Sequence, residues 1–184
     1  MDDKSSSSKI NKKSFKEFLS YVVVIVFAII ISLLFRIFVF EPFIVPTSSM
    51  EPTLMINDKV IVNKFSYKFF GIERGEIIVF HSPVEDNKDL VKRIIATEGE
   101  TVKLEPDGSI YINDKKLEDD HYNKSERPIY SGQVYKIGKD EIFVMGDNRN
   151  DSYDSRYFGP INKDEVFGKV FLIYWPLSRI GIVK

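Results

Sequence analysis

The longest uninterrupted apolar stretch of the chain lies near its N-terminus. No charged residue occurs from Phe18 to Phe35, and the apolar character resumes after Arg36 as far as Phe40. As a helix, residues 18–40 would span about 35 Å, against a hydrocarbon core of roughly 30 Å. Because the stretch is apolar on every side for about five turns, it is predicted to be a membrane-spanning helix rather than a buried core helix.

A cleaved signal peptide is the alternative interpretation of this stretch. The apolar core of a signal peptide is usually about 7 to 15 residues long, and no Ala-x-Ala site follows here, so an uncleaved anchor is favoured. The preceding segment 1–17 carries five lysines against three acidic residues, and the lysine-rich flank of a span stays in the cytoplasm. We therefore predict a disordered cytoplasmic tail at 1–17, a single span at 18–40 and a domain at 41–184 on the extracytoplasmic face of the plasma membrane.

Beyond residue 40 the pattern changes to short apolar runs separated by turn residues. Such runs between glycines and prolines are typical of strands, so the sequence predicts one mainly β, antiparallel domain. Asp107-Gly108 indicates a hairpin turn, and the more polar segment 101–141 is predicted to be a small inserted subdomain. The predicted strands are Lys59–Asn63, Glu76–Phe80, Leu90–Thr97, Ser109–Asn113, Glu141–Met145 and Lys169–Trp175.

Composition excludes several classes of function. The chain has no cysteine and two histidines, so thiol nucleophiles and thiolate zinc sites are excluded, and His81 and His121 share no metal-ligand spacing. The 26 basic residues are balanced by 27 acidic ones, which leaves no global basic field for nucleic acid. We therefore expect no cofactor, no metal and no nucleic-acid partner.

Two segments place polar residues where their surroundings do not require them. Pro46–Leu54 is a cluster of hydroxyl side chains shortly after the predicted span, for which a plain linker is the structural alternative. In the predicted strand Leu90–Thr97, alternation places Lys92 on an apolar face and Arg93 on the opposite face, so one of the two cations must be poorly hydrated. The apolar face of Lys92 is shared with Leu90, Ile94 and Ala96.

Burial of Lys92 would have a chemical consequence. Loss of hydration disfavours the ammonium form and lowers its pKa, which is how a lysine becomes a general base. The structural alternative is an edge strand with both cations in water. A third polar segment, 146–159, follows an apolar strand and is dense in hydrogen-bonding side chains; a long surface turn with an ordinary ion pair between Asp154 and Arg156 is its simplest interpretation.

Taken in order, the three segments resemble those of the bacterial type I signal peptidases. The shared patterns are Pro-x-x-Ser-Met-x-Pro-Thr-Leu from Pro46, Val-Lys-Arg-Ile-Ile from Val91, and Gly-Asp-Asn-Arg-x-x-Ser-x-Asp-Ser-Arg-x-Phe-Gly from Gly146. Arg74–Phe80 fits a further block of that family, and the single anchor resembles its compact Gram-positive members. The resemblance covers residues 41–184 and implies a signal-peptidase-like β catalytic domain.

The resemblance also implies an activity and a site. The activity is that of a membrane-bound serine endopeptidase that removes signal peptides from exported preproteins after a small-x-small motif such as Ala-x-Ala. By motif position, Ser49 is the nucleophile and Lys92 the general base. The oxyanion hole is implied to consist of the Ser49 backbone N–H and the hydroxyl of Thr47, which stands where the family often has serine.

The remaining implied residues are supports. Ser152 corresponds to a serine that positions the lysine amine, and Asp154 and Arg156 correspond to a pair that holds the loop. One departure from the family is the turn after the lysine strand, where Ala96-Thr97-Glu98-Gly99-Glu100 replaces the usual Gly-Leu-Pro-Gly-Asp.

The implied partners are signal-peptide-bearing preproteins, the lipid bilayer and, functionally, the secretion translocon. The lysine- and aromatic-rich segment 64–70 could rest on lipid or form a half-buried strand. Alternatives remain for the function itself. A self-cleaving serine-lysine repressor domain lacks the anchor, a non-catalytic β module leaves Ser49 and Lys92 unexplained, and a peptidase dedicated to one secreted class has the same sequence features.

Overall fold

The structure is a computed structural model that describes residues 3–65, 67, 71–118, 121, 130 and 132–183. The chain forms two compact units, residues 1–39 and residues 40–184. Each is described by itself below.

The first unit contains helix α1, which runs from Asp3 to Phe38. The segment Phe15–Leu33 is long and apolar enough to cross a membrane, and its side chains are exposed on every side. Residues 3–17 are also helical, whereas the sequence predicts a disordered tail there. No glycine or proline interrupts α1, so a helix that nucleates in the apolar run can propagate toward the N-terminus.

The second unit is built on an antiparallel sheet. Among the described residues this sheet has eight strands, in the spatial order β1-β2-β11-β3-β4-β9-β10 with β12 paired to β11. Its strands are β1 Phe40–Ile44, β2 Lys59–Asn63, β3 Ile77–His81, β4 Asp89–Ala96, β9 Glu141–Met145, β10 Ile161–Asn162, β11 Val166–Trp175 and β12 Gly181–Ile182.

Strand β11 joins the two halves of this sheet. It lies between β2 and β3, so the β1-β2 pair and the β3-β4-β9 group meet through it. Gly168 permits the close approach of β11 to β2, because a Cβ at this position would lie 2.3 Å from a methyl carbon of Val62. A side chain there would push the two strands apart.

A second antiparallel sheet lies within the segment predicted to be an inserted subdomain. Its spatial order is β7-β6-β5-β8, and the β5-β6 hairpin turns at Gly108, whose φ is 85°, as the Asp107-Gly108 signal predicts. The strands are β5 Thr101–Leu104, β6 Ile110–Ile112, β7 Lys115–Lys116 and β8 Val134–Lys136.

The core divides into three clusters of buried side chains. Alternate residues of β3 serve the first two, since Ile77 and Val79 pack in one cluster while Ile78 and Phe80 pack in another. The third cluster connects the second sheet to the ends of β4 and β9, through residues that include Ile95 and Phe143. The first two clusters thus cover the two faces of the main sheet, and the third covers the second sheet.

The mainly β prediction is confirmed, and all six predicted strands are present. Two of them have the predicted ends, three differ by one residue at both ends, and the last begins three residues earlier than predicted. The sequence missed β1, because Pro42 within a run argues against a central strand. β1 is an edge strand paired only with β2, where a missing N–H is tolerated. A short helix, α2 Ser155–Phe158, was also missed.

The segment 64–70 is only partly described. Ser66 and residues 68–70 lie outside the described residues, so the lipid-contact hypothesis for this segment stays a prediction. Lys64 is paired with Glu41, and Tyr67 packs against the cluster that contains Ile78.

Candidate active site

The candidate nucleophile lies in a single tight turn between β1 and β2. Ser48–Met50 forms a 3-10 turn that follows Thr47 in extended conformation. Met50 is fully buried in the cluster that contains Ile77 and Val79, so it anchors the turn in the core. Ser49 is consequently held at the edge of the core, with 9% of its surface exposed.

Lys92 reaches this serine from the main sheet. Its Nζ donates a hydrogen bond to Ser49 Oγ at 2.7 Å, across a sequence separation that only the tertiary fold can close. Lys92 pairs with Ile78, and its strand neighbour Ile94 packs in the same cluster as Ile78. The predicted apolar face of Lys92 is therefore confirmed for Ile94.

Ala96 does not share that face. The β4-β9 pairing shifts its register between Ile94 and Ala96, which indicates a bulge, and Ala96 packs with Ile95 in the cluster below the second sheet. A bulge adds one residue to a strand and so changes the face of every residue beyond it. The sequence prediction placed Ala96 beside Lys92 because it assumed that side chains alternate regularly along the whole strand, and the bulge breaks that alternation.

Burial changes the acidity of Lys92. With 3% of its surface exposed, loss of hydration lowers the pKa of Lys92 from 10.5 to about 8, and the nearby carboxylate of Asp154 opposes this decrease. About one lysine in ten is then neutral at pH 7, compared with about one in 2,500 at the reference pKa. The amine that contacts Ser49 is thus able to accept a proton near neutral pH.

Arg93 is also buried, which bears on two sequence interpretations. The sequence required that at least one of the two cations be poorly hydrated, and both are, since Arg93 is 1% exposed and Lys92 is 3% exposed. The edge-strand alternative is wrong, because β4 lies between β3 and β9. Arg93 is compensated by Asp147, which accepts from its Nε at 2.9 Å and from one terminal nitrogen at 2.8 Å.

The loop after β9 is held by one buried carboxylate. Asp154 accepts from the Ser152 hydroxyl at 2.7 Å and from the Gly146 N–H at 3.0 Å. It also forms an ion pair with Arg156 through Nε and a terminal nitrogen, and it caps α2 by accepting from the Arg156 N–H. The ion pair expected between Asp154 and Arg156 is present.

Glycine is required where this loop meets the nucleophile. A Cβ on Gly146 would lie 2.3 Å from both the Ser152 hydroxyl oxygen and the Ser49 carbonyl oxygen. No side chain fits at that distance, so Gly146 permits the loop to approach the catalytic turn. Ser152 and Ser49 are brought to the same place in the fold by this contact.

Further hydrogen bonds fix the loop against the nucleophile turn. The Asn148 N–H donates to the Ser49 carbonyl at 3.1 Å, and its side-chain amide donates to the Ser48 carbonyl at 3.2 Å. The Ser48 hydroxyl donates to Asp151. Thr53, just after the turn, donates to Asp147, so the carboxylate that compensates Arg93 also binds this segment.

The other expected residues lie near the pair as follows. Thr47 Oγ1 is 3.3 Å from Ser49 Oγ. Among the described residues, Ser49 is the hydrogen-bond acceptor found for the Lys92 amine, and the Ser152 hydroxyl donates to Asp154. In the part of the chain that the structure describes, no group of three or more His, Cys, Asp or Glu residues could hold a metal ion.

Sequence reasoning missed several residues that build the site. Asp147 and Arg149 had no site role of their own in the sequence interpretation, whereas Asp147 binds Arg93 and the buried Arg149 donates to the Gly146 carbonyl at 3.0 Å. The available signal was an arginine within the apolar run of β4. A charge in that position requires a distant acidic partner.

A serine hydroxyl in contact with a buried lysine amine of lowered pKa is an arrangement of serine peptidases that use lysine in place of histidine. The comparisons agree. The family model of the signal peptidases, peptidase S26, matches residues 18–175. The chain belongs to this family and is a hydrolase that removes signal peptides from protein substrates as a serine peptidase.

Individual relatives show the same similarity. The chain is 39% identical over 162 residues to the probable signal peptidase I-2 of Synechocystis sp., which covers 85% of this chain and 72% of that protein. It is 33% identical over 182 residues to signal peptidase I P of Bacillus subtilis subsp. natto, covering 94% and 97%. A crystal structure of a signal peptidase I from Enterococcus faecalis is 32% identical, with a TM-score of 0.46 over 53% of this chain and 95% of that one.

Proposed function

We propose that the protein is a membrane-anchored signal peptidase that uses Ser49 as nucleophile and Lys92 as general base. The observation that carries the proposal is the 2.7 Å contact between Lys92 Nζ and Ser49 Oγ in a place where both residues are buried. A buried ammonium is costly for folding, and its contact with a serine hydroxyl gives that cost a chemical use.

The reaction begins with the neutral amine. Once Lys92 has lost its proton, the Ser49 hydroxyl donates across the same contact, and Lys92 takes the proton as Oγ attacks the scissile carbonyl. The developing oxyanion is stabilised by the Ser49 backbone N–H and the Thr47 hydroxyl. Thr47 lies 3.3 Å from Ser49 Oγ, close enough to donate to an oxygen bound at that serine.

The protonated lysine then completes acyl transfer. It gives its proton to the leaving amine, which becomes the N-terminus of the mature protein, and the signal peptide stays attached to Ser49 as an ester. A water molecule that loses its proton to Lys92 hydrolyses the ester and restores the free serine. Each proton that leaves a nucleophile passes through one nitrogen, so a single base serves both half-reactions.

Ser152, Asp154 and Arg156 are proposed to support the base. A serine hydroxyl that donates to a carboxylate keeps two lone pairs, so Ser152 can accept from the lysine amine while it donates to Asp154. Arg156 holds Asp154 by two hydrogen bonds. The ion pair thereby fixes the direction of the Ser152 hydroxyl.

The substrate and location follow from the sequence resemblance and from α1. Cleavage is proposed after a small-x-small motif such as Ala-x-Ala. The exposed apolar segment Phe15–Leu33 is proposed to span the plasma membrane, with the N-terminus in the cytoplasm and the β domain on the outer face, where it meets bilayer and translocated preproteins.

The test is cleavage of a preprotein whose signal ends in Ala-x-Ala by the detergent-solubilised full-length protein. Ser49→Ala and Lys92→Ala are assayed beside the wild type, and products are sized by mass spectrometry. We expect a single cut directly after the motif by the wild type and none by the variants. Cleavage by folded Ser49→Ala protein would refute the nucleophile, and failure of all three proteins would favour a binding module or a narrower substrate set.

A further inference from the structure

Two aromatic rings stand exposed on the loop that carries Ser152. Tyr153 is 50% exposed and Tyr157 is 67% exposed, and their rings stack with centroids 5.2 Å apart at an interplanar angle of 25°. The loop residues between them include Asp154 and Ser155, which are fully buried. The exposed tyrosine pair thus stands on a rigid base, and the polar contacts already described hold the loop without these rings.

The tyrosine pair is close to the nucleophile. Asp151 accepts from the Ser48 hydroxyl, and the Ser152 hydroxyl and the Ser49 carbonyl both approach Gly146. Tyr153 therefore follows directly after two residues that meet the catalytic turn.

The pair also lies on the Lys92 side of the sheet. The Tyr153 ring packs edge-on against Phe158 at 5.6 Å, and Phe158 packs against the cluster that contains Ile78 and Ile94. These two residues share a face with Lys92, as its pairing with Ile78 shows. The tyrosines and Lys92 therefore lie on the same face of the main sheet relative to Ser49.

The chemistry of the proposed reaction indicates which part of the substrate lies next to Lys92. Lys92 must protonate the amine that leaves, so the nitrogen of the first mature residue has to come within hydrogen-bond reach of Lys92 Nζ. The chain that continues from this nitrogen is the mature part of the preprotein. The first residues of the mature part therefore lie next to Lys92 and continue away from it in extended conformation, because a peptidase binds the backbone of its substrate along the cleft.

The pair is suited to a side chain rather than to a backbone. Stacked aromatic rings offer a large apolar face at low entropic cost, since each ring is already held by a neighbour. The guanidinium carbon of Arg156 lies 5.9 Å from the Tyr157 ring centre, and it fixes the second ring by a cation-π contact.

We propose that Tyr153 and Tyr157 form a binding surface for an apolar or aromatic side chain among the first three residues of the mature protein. This inference rests on the proposed function, because it takes the direction of the substrate from the role of Lys92. It assigns to this chain a preference on the product side of the cut, in addition to the motif that precedes the cut.

The test compares preproteins that share one signal peptide and differ after the cleavage site. Phe or Ser is placed at the first, second or third mature position, and kcat/KM is measured with the full-length protein in detergent. We expect the wild type to favour Phe by about fivefold or more at one of these positions, because contact between aromatic rings adds to the free energy gained by burying the side chain. Tyr153→Ala should reduce that Phe/Ser ratio to near one, and Tyr153→Phe should keep it.

Phe171→Ala is the matched control, because Phe171 is an exposed aromatic residue on β11 outside the site. It should leave the ratio at the wild-type value. Cleavage by the wild type without a Phe/Ser preference, or an undiminished ratio in Tyr153→Ala, would overturn the binding surface and leave the proposed function intact. Equal slowing of all substrates by Tyr153→Ala would assign the ring to loop structure and also overturn it. Absence of wild-type cleavage would remove the proposed function and this inference together.

Discussion

At the scale of single residues, the central feature is a lysine in a place that disfavours its charge. Lys92 occupies a strand with neighbours on both sides, and burial lowers its pKa to about 8. Water that would hydrate a side chain on an edge strand does not reach the Lys92 amine in this central strand. The burial that would let the amine act as a base near neutral pH also lowers the stability of the fold, and the two effects can be measured separately.

The first prediction concerns the pH dependence of cleavage. Activity requires the neutral amine, so kcat/KM should rise about tenfold per pH unit below pH 7 and level off above about pH 8, the pKa of Lys92. Initial rates over pH 5.5 to 9.5, roughly, with one Ala-x-Ala substrate measure this. A profile that is flat below pH 8 would contradict a lysine base. Lys92→Arg should be inactive throughout, because a guanidinium stays protonated.

The second prediction concerns stability. The unfolded chain binds the lysine proton up to its ordinary pKa of 10.5, while the folded chain releases it at about pH 8. Stability should therefore rise with pH across this window, by about 3 kcal/mol in total. Below pH 8 the full cost is present, so Lys92→Met should raise the free energy of unfolding at pH 7 by up to about 3 kcal/mol while it abolishes cleavage.

Urea unfolding followed by circular dichroism measures this gain. Lys115→Met is the control, because Lys115 is exposed on the edge strand β7, and exposed substitutions usually change stability by less than about 0.5 kcal/mol. Equal stability of Lys92→Met and wild type at pH 7 would show that the burial of this amine is compensated by its surroundings.

At the scale of elements, β4 and the turn after β9 depend on one another. Arg93 and Asp147 are nearly inaccessible and joined by two hydrogen bonds, and Thr53 connects the same carboxylate to the nucleophile segment. Strand β4, the turn that follows β9 and the residues after Ser49 are thus tied at one point. The distance between Lys92 and Ser49 depends on this tie.

The third prediction tests the tie. Removal of one member of a buried ion pair leaves an uncompensated charge, so Asp147→Leu and Arg93→Met should each lower the free energy of unfolding by about 3 to 5 kcal/mol. The double variant Arg93→Met with Asp147→Leu should recover most of this loss, because it leaves neither member of the pair as an uncompensated charge. Urea unfolding of the two single variants and the double variant gives the coupling energy. Additive losses would show that the two residues do not act as a pair.

The main strands could be predicted from the sequence because they are apolar, whereas several of the short strands and the long-range contacts could not. Central strands such as β9 are continuous apolar runs and were found with their ends. β5 and β8 are short and carry lysines on an exposed face, so they resemble polar loops. The Lys92 face followed from alternation, whereas the displacement of Ala96 needed the bulge, and the role of Asp147 needed a partner 54 residues away. Long-range pairs leave no local periodicity.

At the scale of the whole molecule, the chain divides between an apolar helix and a β domain. Residues 1–39 and 40–184 are separate compact units, and the three core clusters consist of residues from the second unit. The β domain therefore has its own hydrophobic core. We therefore expect it to fold without the side chains of α1.

The fourth prediction follows from this division. Removal of residues 1–39 should leave the β domain folded and able to cut a soluble Ala-x-Ala peptide, with kcat/KM within about threefold of the full chain. Against a preprotein in liposomes it should be at least about tenfold slower, because anchoring raises the local concentration of the substrate. Circular dichroism and both cleavage assays measure this, with Ser49→Ala in each background as control. Loss of the β signal on truncation would refute the independence of the domain.

The position of β11 has a consequence for when the protein can act. The turn with Ser49 belongs to the β1-β2 half of the sheet and Lys92 belongs to the β3-β4-β9 half, and β11 is the strand that joins them. It is also made long after both residues. A growing chain that already contains Ser49 and Lys92 still lacks the strand that joins the two halves of the sheet. We therefore expect the nascent chain to have no peptidase activity until β11 has been synthesised and has paired with β2 and β3.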